Sequence, residues 1–239
     1  MWQTVITAAG SDNAVFAAAG FEVPKNWIPF SGTTVLQKVI KECEFDGNQI
    51  RVTIPQNEEA NWIHAWAQDI PLGVSPVLIG HQTMGALCTA LLAIGGLNQD
   101  LPLLVAPGDS YISLGIQAHL TDFLESGADA ATIIFPSSAA NMSFVRTYDS
   151  NKVAEIAEKR VISGNASTGH FMFRKTSDFV DAAEWVLTRN MNYKGEFFLS
   201  GTLNYLVMQG RNVQAQPLDG ESRYVRLSTP SDLIREALS

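Results

Sequence analysis

The sequence predicts an α/β fold with a mainly parallel central sheet and an antiparallel portion, on three observations. Strand-like apolar runs alternate with helix-period segments through the first half of the chain, the pattern of βα units around a parallel sheet. After Asp109 the texture changes, and three extended runs follow one another with only short turns between them. Finally, 46% of the 239 residues are apolar and only 17% charged, against about 25% charged in an average soluble domain. A well-filled core is therefore expected and disorder is excluded.

The elements follow in order. Residues 4–6 (Thr-Val-Ile) form the first strand and run into the small-residue loop Ala8-Ala9-Gly10-Ser11. Val35, Leu36, Val39, Ile40 and Cys43 recur at helical spacing, residues 51–54 read as the second strand, and 57–66 as a helix. Residues 76–79 give the third strand, 84–97 a core helix, and 103–106 a strand stopped by Pro107-Gly108-Asp109. A helix over 116–125 leads to the apolar strand 131–135, then to the extended runs 143–147, 152–156 and 168–173, the first two joined by a turn at 148–151. Helices are expected over 177–190 and 198–209. A last one starts where Thr229 can cap, Pro230 suits the first helical position and Asp232 can reach back. With no repeat, low-complexity tract or linker, residues 1–239 read as one domain.

Charge and cysteine usage exclude several classes of function. With 24 acidic and 16 basic side chains the formal charge is −8, and no basic cluster offsets it, so neither nucleic acid nor an anionic membrane surface is an expected partner. Residues 70–99 carry no charge, but Pro71, Pro76 and the His81-Gln82-Thr83 stretch interrupt them, and the remaining apolar run of about 14 residues falls short of the roughly 20 a membrane span needs. No basic residue precedes Lys25, which argues against a signal peptide. Cys43 and Cys88 have no metal-type spacing and fit a reducing cytoplasm.

Five places can carry chemistry, among them the small-residue run Ala166-Ser167-Thr168-Gly169. The Ala8-Ala9-Gly10 loop lets backbone amides approach a phosphate or a base edge, although it lacks the glycine spacing of a dinucleotide fingerprint and the ending of a P-loop, and a plain tight turn competes with that reading. Lys25, in a loop restrained by Pro24, can be aimed at a phosphate as a point charge, against the alternative of a surface lysine. Asp109, delivered by Gly108 at the carboxyl end of an apolar strand, sits where α/β sheets bind ligands and can hold Mg²⁺ against phosphate oxygens. Glu158 and Lys159 close a strand; alternation would send them to opposite faces unless the strand bends there. His64, His81, His119 and His170 form no metal or triad pattern.

The order of these segments resembles the sugar-phosphate nucleotidyltransferase family, the NDP-sugar pyrophosphorylases, and in particular a subgroup associated with surface-polysaccharide pathways. The resemblance rests on Ala8-Ala9-Gly10, Phe16, Gly20-Phe21 and Pro24-Lys25, then Thr83-Met84-Gly85-Ala86-Leu87-Cys88-Thr89 and Ala106-Pro107-Gly108-Asp109-Ser110-Tyr111. It continues through Glu155-Ile156-Ala157-Glu158-Lys159, residues 166–173, Gly195-Glu196-Phe197-Phe198, Asn204 and Thr229-Pro230-Ser231-Asp232-Leu233, and so spans essentially the whole chain. It implies a three-layer, Rossmann-like fold of the GT-A type and a cytoplasmic enzyme. That enzyme would transfer a nucleoside monophosphate from a triphosphate to a phosphorylated sugar or sugar-like acceptor, releasing pyrophosphate.

Carried over residue by residue, the resemblance implies that Ala8, Ala9, Gly10 and Gly108 line the nucleotide, with Gln82 and Gly85 near its base. Lys25 and Asp109 would be catalytic, with Asp109 holding the Mg²⁺ cofactor, and Glu158, Lys159 and Gly169 would face the acceptor. A homo-oligomer is compatible with it. Two departures stand out: the loop at 10–16 has no arginine to grip a triphosphate and adds Asp12, and Arg226 stands where some relatives carry a second metal-binding aspartate. A non-catalytic nucleotide or nucleotide-sugar binding subunit is the alternative reading. A glycosyltransferase ranks below both, because Asp109 has no second aspartate at Asp-x-Asp spacing.

Overall fold

A computed structural model describes residues 1–10, 13–67 and 70–238. The chain opens with β1 (Trp2–Thr7), passes α1 (Asn13–Ala18), the small hairpin β2 (Pro29–Phe30) and β3 (Thr33–Thr34) and α2 (Val35–Glu42), and reaches β4 (Asn48–Pro55). Next come α3 (Glu59–Ala65), β5 (Val74–Ile79), α4 (Ala86–Leu92), β6 (Leu103–Pro107), β7 (Ser110–Ile112), α5 (Gln117–Glu125) and β8 (Ala130–Pro136). The second half adds β9 (Ser143–Tyr148), β10 (Lys152–Glu158), β11 (Asn165–Phe173), α6 (Thr176–Thr188), α7 (Ser200–Met208), β12 (Val213–Pro217), β13 (Tyr224–Arg226) and α8 (Pro230–Ala237).

Nine strands form one sheet in the order β5-β4-β1-β6-β11-β8-β12-β10-β9, and β9 also touches β11 where Phe144 faces Ala166. The expected mainly parallel sheet is not what forms. The block β5-β4-β1-β6 and the pair β8-β12 are parallel, but β6-β11, β11-β8, β12-β10, β10-β9 and β11-β9 are antiparallel. Part of the reason is local: only residues 149–151 connect β9 to β10, too few for a helical crossover, so these two pair as an antiparallel hairpin, while β11 inserts between β6 and β8 and runs against both.

Alternation along the strands sorts side chains onto two faces. Ile6, Leu104 and Ala106 pack with Leu36, Ile40 and Phe123 of α2 and α5, while Val5, Leu103 and Val105 pack with Leu87, Phe179 and Leu203 of α4, α6 and α7. Each such fully buried Leu, Ile or Phe contributes about 1.5–3 kcal/mol. The core helix expected over 84–97 is shorter, Ala86–Leu92. It is followed by Gly95 and Gly96, and the Arg51 guanidinium donates to the freed carbonyls of Ala93, at 2.9 Å, and Gly95. Among the described residues no helix is long and apolar enough to cross a membrane.

The terminal helix starts as its sequence dictates. Thr229 Oγ1 accepts from Asp232 N, and Asp232 Oδ2 from Thr229 N, each at 3.1 Å, with Pro230 in the first turn.

His170, on β11, is 1% exposed, and its Nδ1 lies 3.1 Å from Thr168 Oγ1. Burial, helped by nearby His119, pushes its pKa down from 6.5 to about 3. The unfolded chain takes up this proton below pH 6.5 and the native state does not, so the stabilisation is complete above pH 6.5 and is lost as the pH falls towards 3. The unfolding free energy is expected to drop by up to about 1.4 kcal/mol per pH unit between pH 6 and 4 from this group. Urea midpoints of wild type and His170→Phe across that range check it, and parallel slopes for the two proteins would refute the assignment.

Candidate functional site

The site lies beyond the carboxyl ends of β1, β4 and β6, where α/β sheets open a crevice. Ala8 N donates to Thr53 O and Thr53 Oγ1, both at 3.1 Å, and Ala8 O accepts from Asn26 Nδ2 at 2.9 Å, so the loop after β1 is held on both sides. Gly108 passes directly against it. Its N bonds Thr7 O at 3.0 Å, and a Cβ there would lie 2.5 Å from Ala8 Cβ and 2.7 Å from Ala8 Cα. Only glycine permits that approach, and the approach brings Asp109 beside the first loop.

Lys25 is 7% exposed rather than a surface lysine. It opens a 3-10 turn, Lys25–Trp27, and its Nζ sits 3.0 Å from Asp109 Oδ2. The turn is fixed by a carboxylate that the sequence reading did not single out. Glu58, 1% exposed, accepts from Asn13 Nδ2 at 2.9 Å, Asn26 Nδ2 at 3.1 Å and Trp27 Nε1 at 2.7 Å. Asn13 Oδ1 in turn accepts from Lys25 N at 2.9 Å. Glu58 follows the end of β4, the same edge as Asp109, and that position was the available signal; it was absorbed into the helix expected over 57–66, which begins only at Glu59. Ser11 and Asp12, including the added negative charge expected there, lie outside the described residues.

A cleft of about 420 Å³ brings Ala8, Gly10, Lys25, Gly108, Asp109, Glu158, Lys159 and Gly169 together with Arg226. A smaller pocket of about 170 Å³ holds Ala9, Gln82 and Gly85, and shares Thr7, Gly10, Ala86 and Phe198 with the cleft. All the site residues expected from the sequence thus line two adjoining spaces. Glu158 and Lys159 both reach the larger one because the chain bends: Lys159 has φ +50, a left-handed residue at the end of β10 that breaks the alternation.

Ser143 Oγ and Ser200 Oγ hydrogen bond to Glu158 Oε2, the latter at 3.1 Å. The Lys159 ammonium lies 4.3 Å from the Phe198 ring centroid and 5.4 Å from that of Tyr193, a cation–π setting. Gly169, φ +85, sits at an irregularity of β11 against Pro107.

Among the described residues the cleft is lined by three cations, Lys25, Lys159 and Arg226, and two carboxylates, Asp109 and Glu158, a positive balance in a chain of net charge −8. It suits an anionic, phosphate-bearing ligand. No group of three or more His, Cys, Asp or Glu side chains able to hold a metal occurs among the described residues. Asp109, a quarter exposed, fits a different arrangement, in which a single carboxylate meets a Mg²⁺ that is otherwise held by water and by the phosphates of a substrate.

Gly85 is fixed by the wall between the two spaces. It has φ 104 and ψ 173, a region essentially reserved for glycine, and a Cβ would meet Phe197 O at 2.5 Å. Gly85→Ala is expected to cost about 2–4 kcal/mol, from backbone strain plus overpacking. Urea denaturation reads it directly; a loss below about 0.5 kcal/mol, the scale of a neutral surface change, would show that the wall yields.

No family model and no curated protein sequence matches the chain. Solved structures do. A nucleoside-diphosphate-sugar pyrophosphorylase from Vibrio cholerae RC9 superposes with a TM-score of 0.81 at 18% identity, over 100% of each chain. A candidate glucose-1-phosphate thymidylyltransferase from Bacillus anthracis, solved with a sucrose, gives 0.77 at 16% identity, over 100% of this chain and 94% of that one. An inositol-1-phosphate CTP transferase from T. maritima gives 0.73 at 14%, over 97% and 91%. The chain therefore has the mixed α/β fold of these nucleotidyltransferase structures.

Proposed function

We propose that this protein is a nucleotidyltransferase that moves a nucleoside monophosphate from a nucleoside triphosphate to a phosphorylated sugar or sugar-like acceptor. The observation that carries the reading is the pairing of buried Lys25 with the partly exposed Asp109, 3.0 Å apart, in a positively lined cleft that shares lining residues with a second pocket bearing Gln82 and Gly85. The likeness of fold to the structures above supports it. In this reading the nucleoside occupies the smaller pocket against Ala9, Gly10, Gln82 and Gly85, and its phosphates extend past Ala8 and Gly108 into the cleft.

An oxygen of the acceptor phosphate attacks the α-phosphorus in line. One P–O bond forms, the bond to the bridging oxygen breaks, and pyrophosphate leaves with that electron pair. Lys25 supplies a fixed ammonium to the transferring phosphates, and Glu158, Lys159 and Gly169 line the acceptor's place. Mg²⁺, held by Asp109 and the substrate phosphates, would supply further charge neutralisation. We place the protein in the cytoplasm as a single catalytic domain, free or as a homo-oligomer, making a nucleotide-activated precursor for surface polysaccharide.

The test is to incubate the protein with each nucleoside triphosphate, Mg²⁺ and a panel of phosphorylated acceptors while following pyrophosphate. Release with one pair, abolished by EDTA and lowered about 10²-fold or more by Asp109→Asn, is expected. No release with any pair would refute transfer. One observation favours a second outcome, a nucleotide-binding subunit without turnover: α1 begins just past the first loop and carries no basic residue in its six positions. Calorimetric binding of a triphosphate with no pyrophosphate would select that reading.

A further inference from the structure

Arg226 is the cation of the cleft that the reaction outlined above does not use. It ends β13, whose register places it opposite Ser110, and the next amide, Leu227 N, donates to Asp109 O at 2.8 Å. Its side chain is 28% exposed and lines the cleft but not the smaller pocket.

The guanidinium is held mainly by neutral groups. Nε donates to Ser228 Oγ, and Nη1 lies 3.9 Å from Met142 Sδ. With the Asn141 amide oxygen turned towards it, that oxygen accepts from Nη1 at 2.9 Å and Nη2 at 3.2 Å. The nearest carboxylate, Asp232, stands 3.6 Å from Nε and is shared with Arg235 at 3.2 Å and with its own helix cap, so the positive charge on Arg226 is only partly offset. Met142 also links it to the acceptor wall, because Met142 O accepts from Lys159 N at 3.0 Å.

We propose that Arg226 is a direct binding residue for the phosphate monoester of the acceptor, gripping it without a metal in the cleft it shares with Lys25. This rests on the reading of the cleft as an acceptor site. A guanidinium offers paired donors to phosphate oxygens in a way an ammonium does not.

Titration with inorganic phosphate in EDTA, read by ³¹P line broadening, tests this. Wild type is expected to bind phosphate without metal, and more weakly as salt is raised. Arg226→Gln should bind at least about tenfold more weakly and Arg226→Lys should fall between them. Calorimetric affinity for a nucleoside triphosphate, measured on the same variants, should change less than about twofold, which a merely structural role would not spare. Absence of phosphate binding by wild type in EDTA, or equal binding by Arg226→Gln, overturns the proposal. Failure of the transfer reaction itself would appear separately, as phosphate binding that depends on Arg226 with no pyrophosphate released from any triphosphate.

Discussion

Lys25→Met is expected to lower kcat/KM for pyrophosphate release by about 10²–10³-fold, the scale of losing one preorganised charge at a phosphoryl centre. Methionine keeps the length and apolar stem, so packing around the turn Lys25–Trp27 is preserved and the lost quantity is the ammonium itself. The stability cost should be modest, about 1 kcal/mol, because Asp109 is a quarter exposed and water can screen the charge left behind. The measurement is therefore a split: a large fall in kcat, with the melting temperature nearly held. Activity within threefold of wild type would show that this ammonium does not touch the transferring phosphates, and the proposed reaction would lose its main residue.

The second large effect lies one layer below. Glu58→Ala strips the acceptor from Asn13, Asn26 and Trp27 together, and Asn26 and Trp27 are themselves buried. Leaving buried donors unpaired costs about 1–3 kcal/mol each, and water entering the space recovers part of it, so a loss of about 3–5 kcal/mol is expected in urea denaturation. Activity should also fall at temperatures where the variant is folded, because Asn13 positions the Lys25 backbone. Glu58→Gln should be milder, since its amide oxygen still serves one or two of the three donors. A loss under 1 kcal/mol for the alanine variant would mean that the knot is not what holds the turn.

Much of the frame was legible because it is written in short-range chemistry. Residues 51–54, 76–79 and 103–106 fall inside β4, β5 and β6, and the Thr229–Asp232 signature formed both of its bonds. Apolar runs bounded by turn residues are a local code. The direction of pairing is not: nothing in residues 165–173 says that β11 will lie between β6 and β8, and β12 (Val213–Pro217), placed between β8 and β10, alternates over only four residues before Pro217, too short a run to stand out as a strand.

The site divides in the same way. Ala8, Gly10, Lys25, Asp109 and Lys159 could be named from loops and strand ends. Glu58 carries only the weak signal of its place after β4, because a carboxylate buried by three donors from residues 13, 26 and 27 otherwise looks from sequence like any glutamate near the start of a helix. The bend at Lys159 was equally hidden, since a left-handed lysine has no residue-type signature.

The wall at Gly85 has one more implication. Phe197 N donates to Met84 O at 2.7 Å and Phe197 O accepts from Leu87 N at 3.1 Å, so the strap carrying Phe198 is stitched to the turn that shapes the smaller pocket. Phe198 borders both spaces. In the proposed reading, a ligand in either space meets Phe198, so any coupling between the two ligands would run through this shared residue. Were one ligand to alter the other's affinity, reciprocity would require the same factor in both directions.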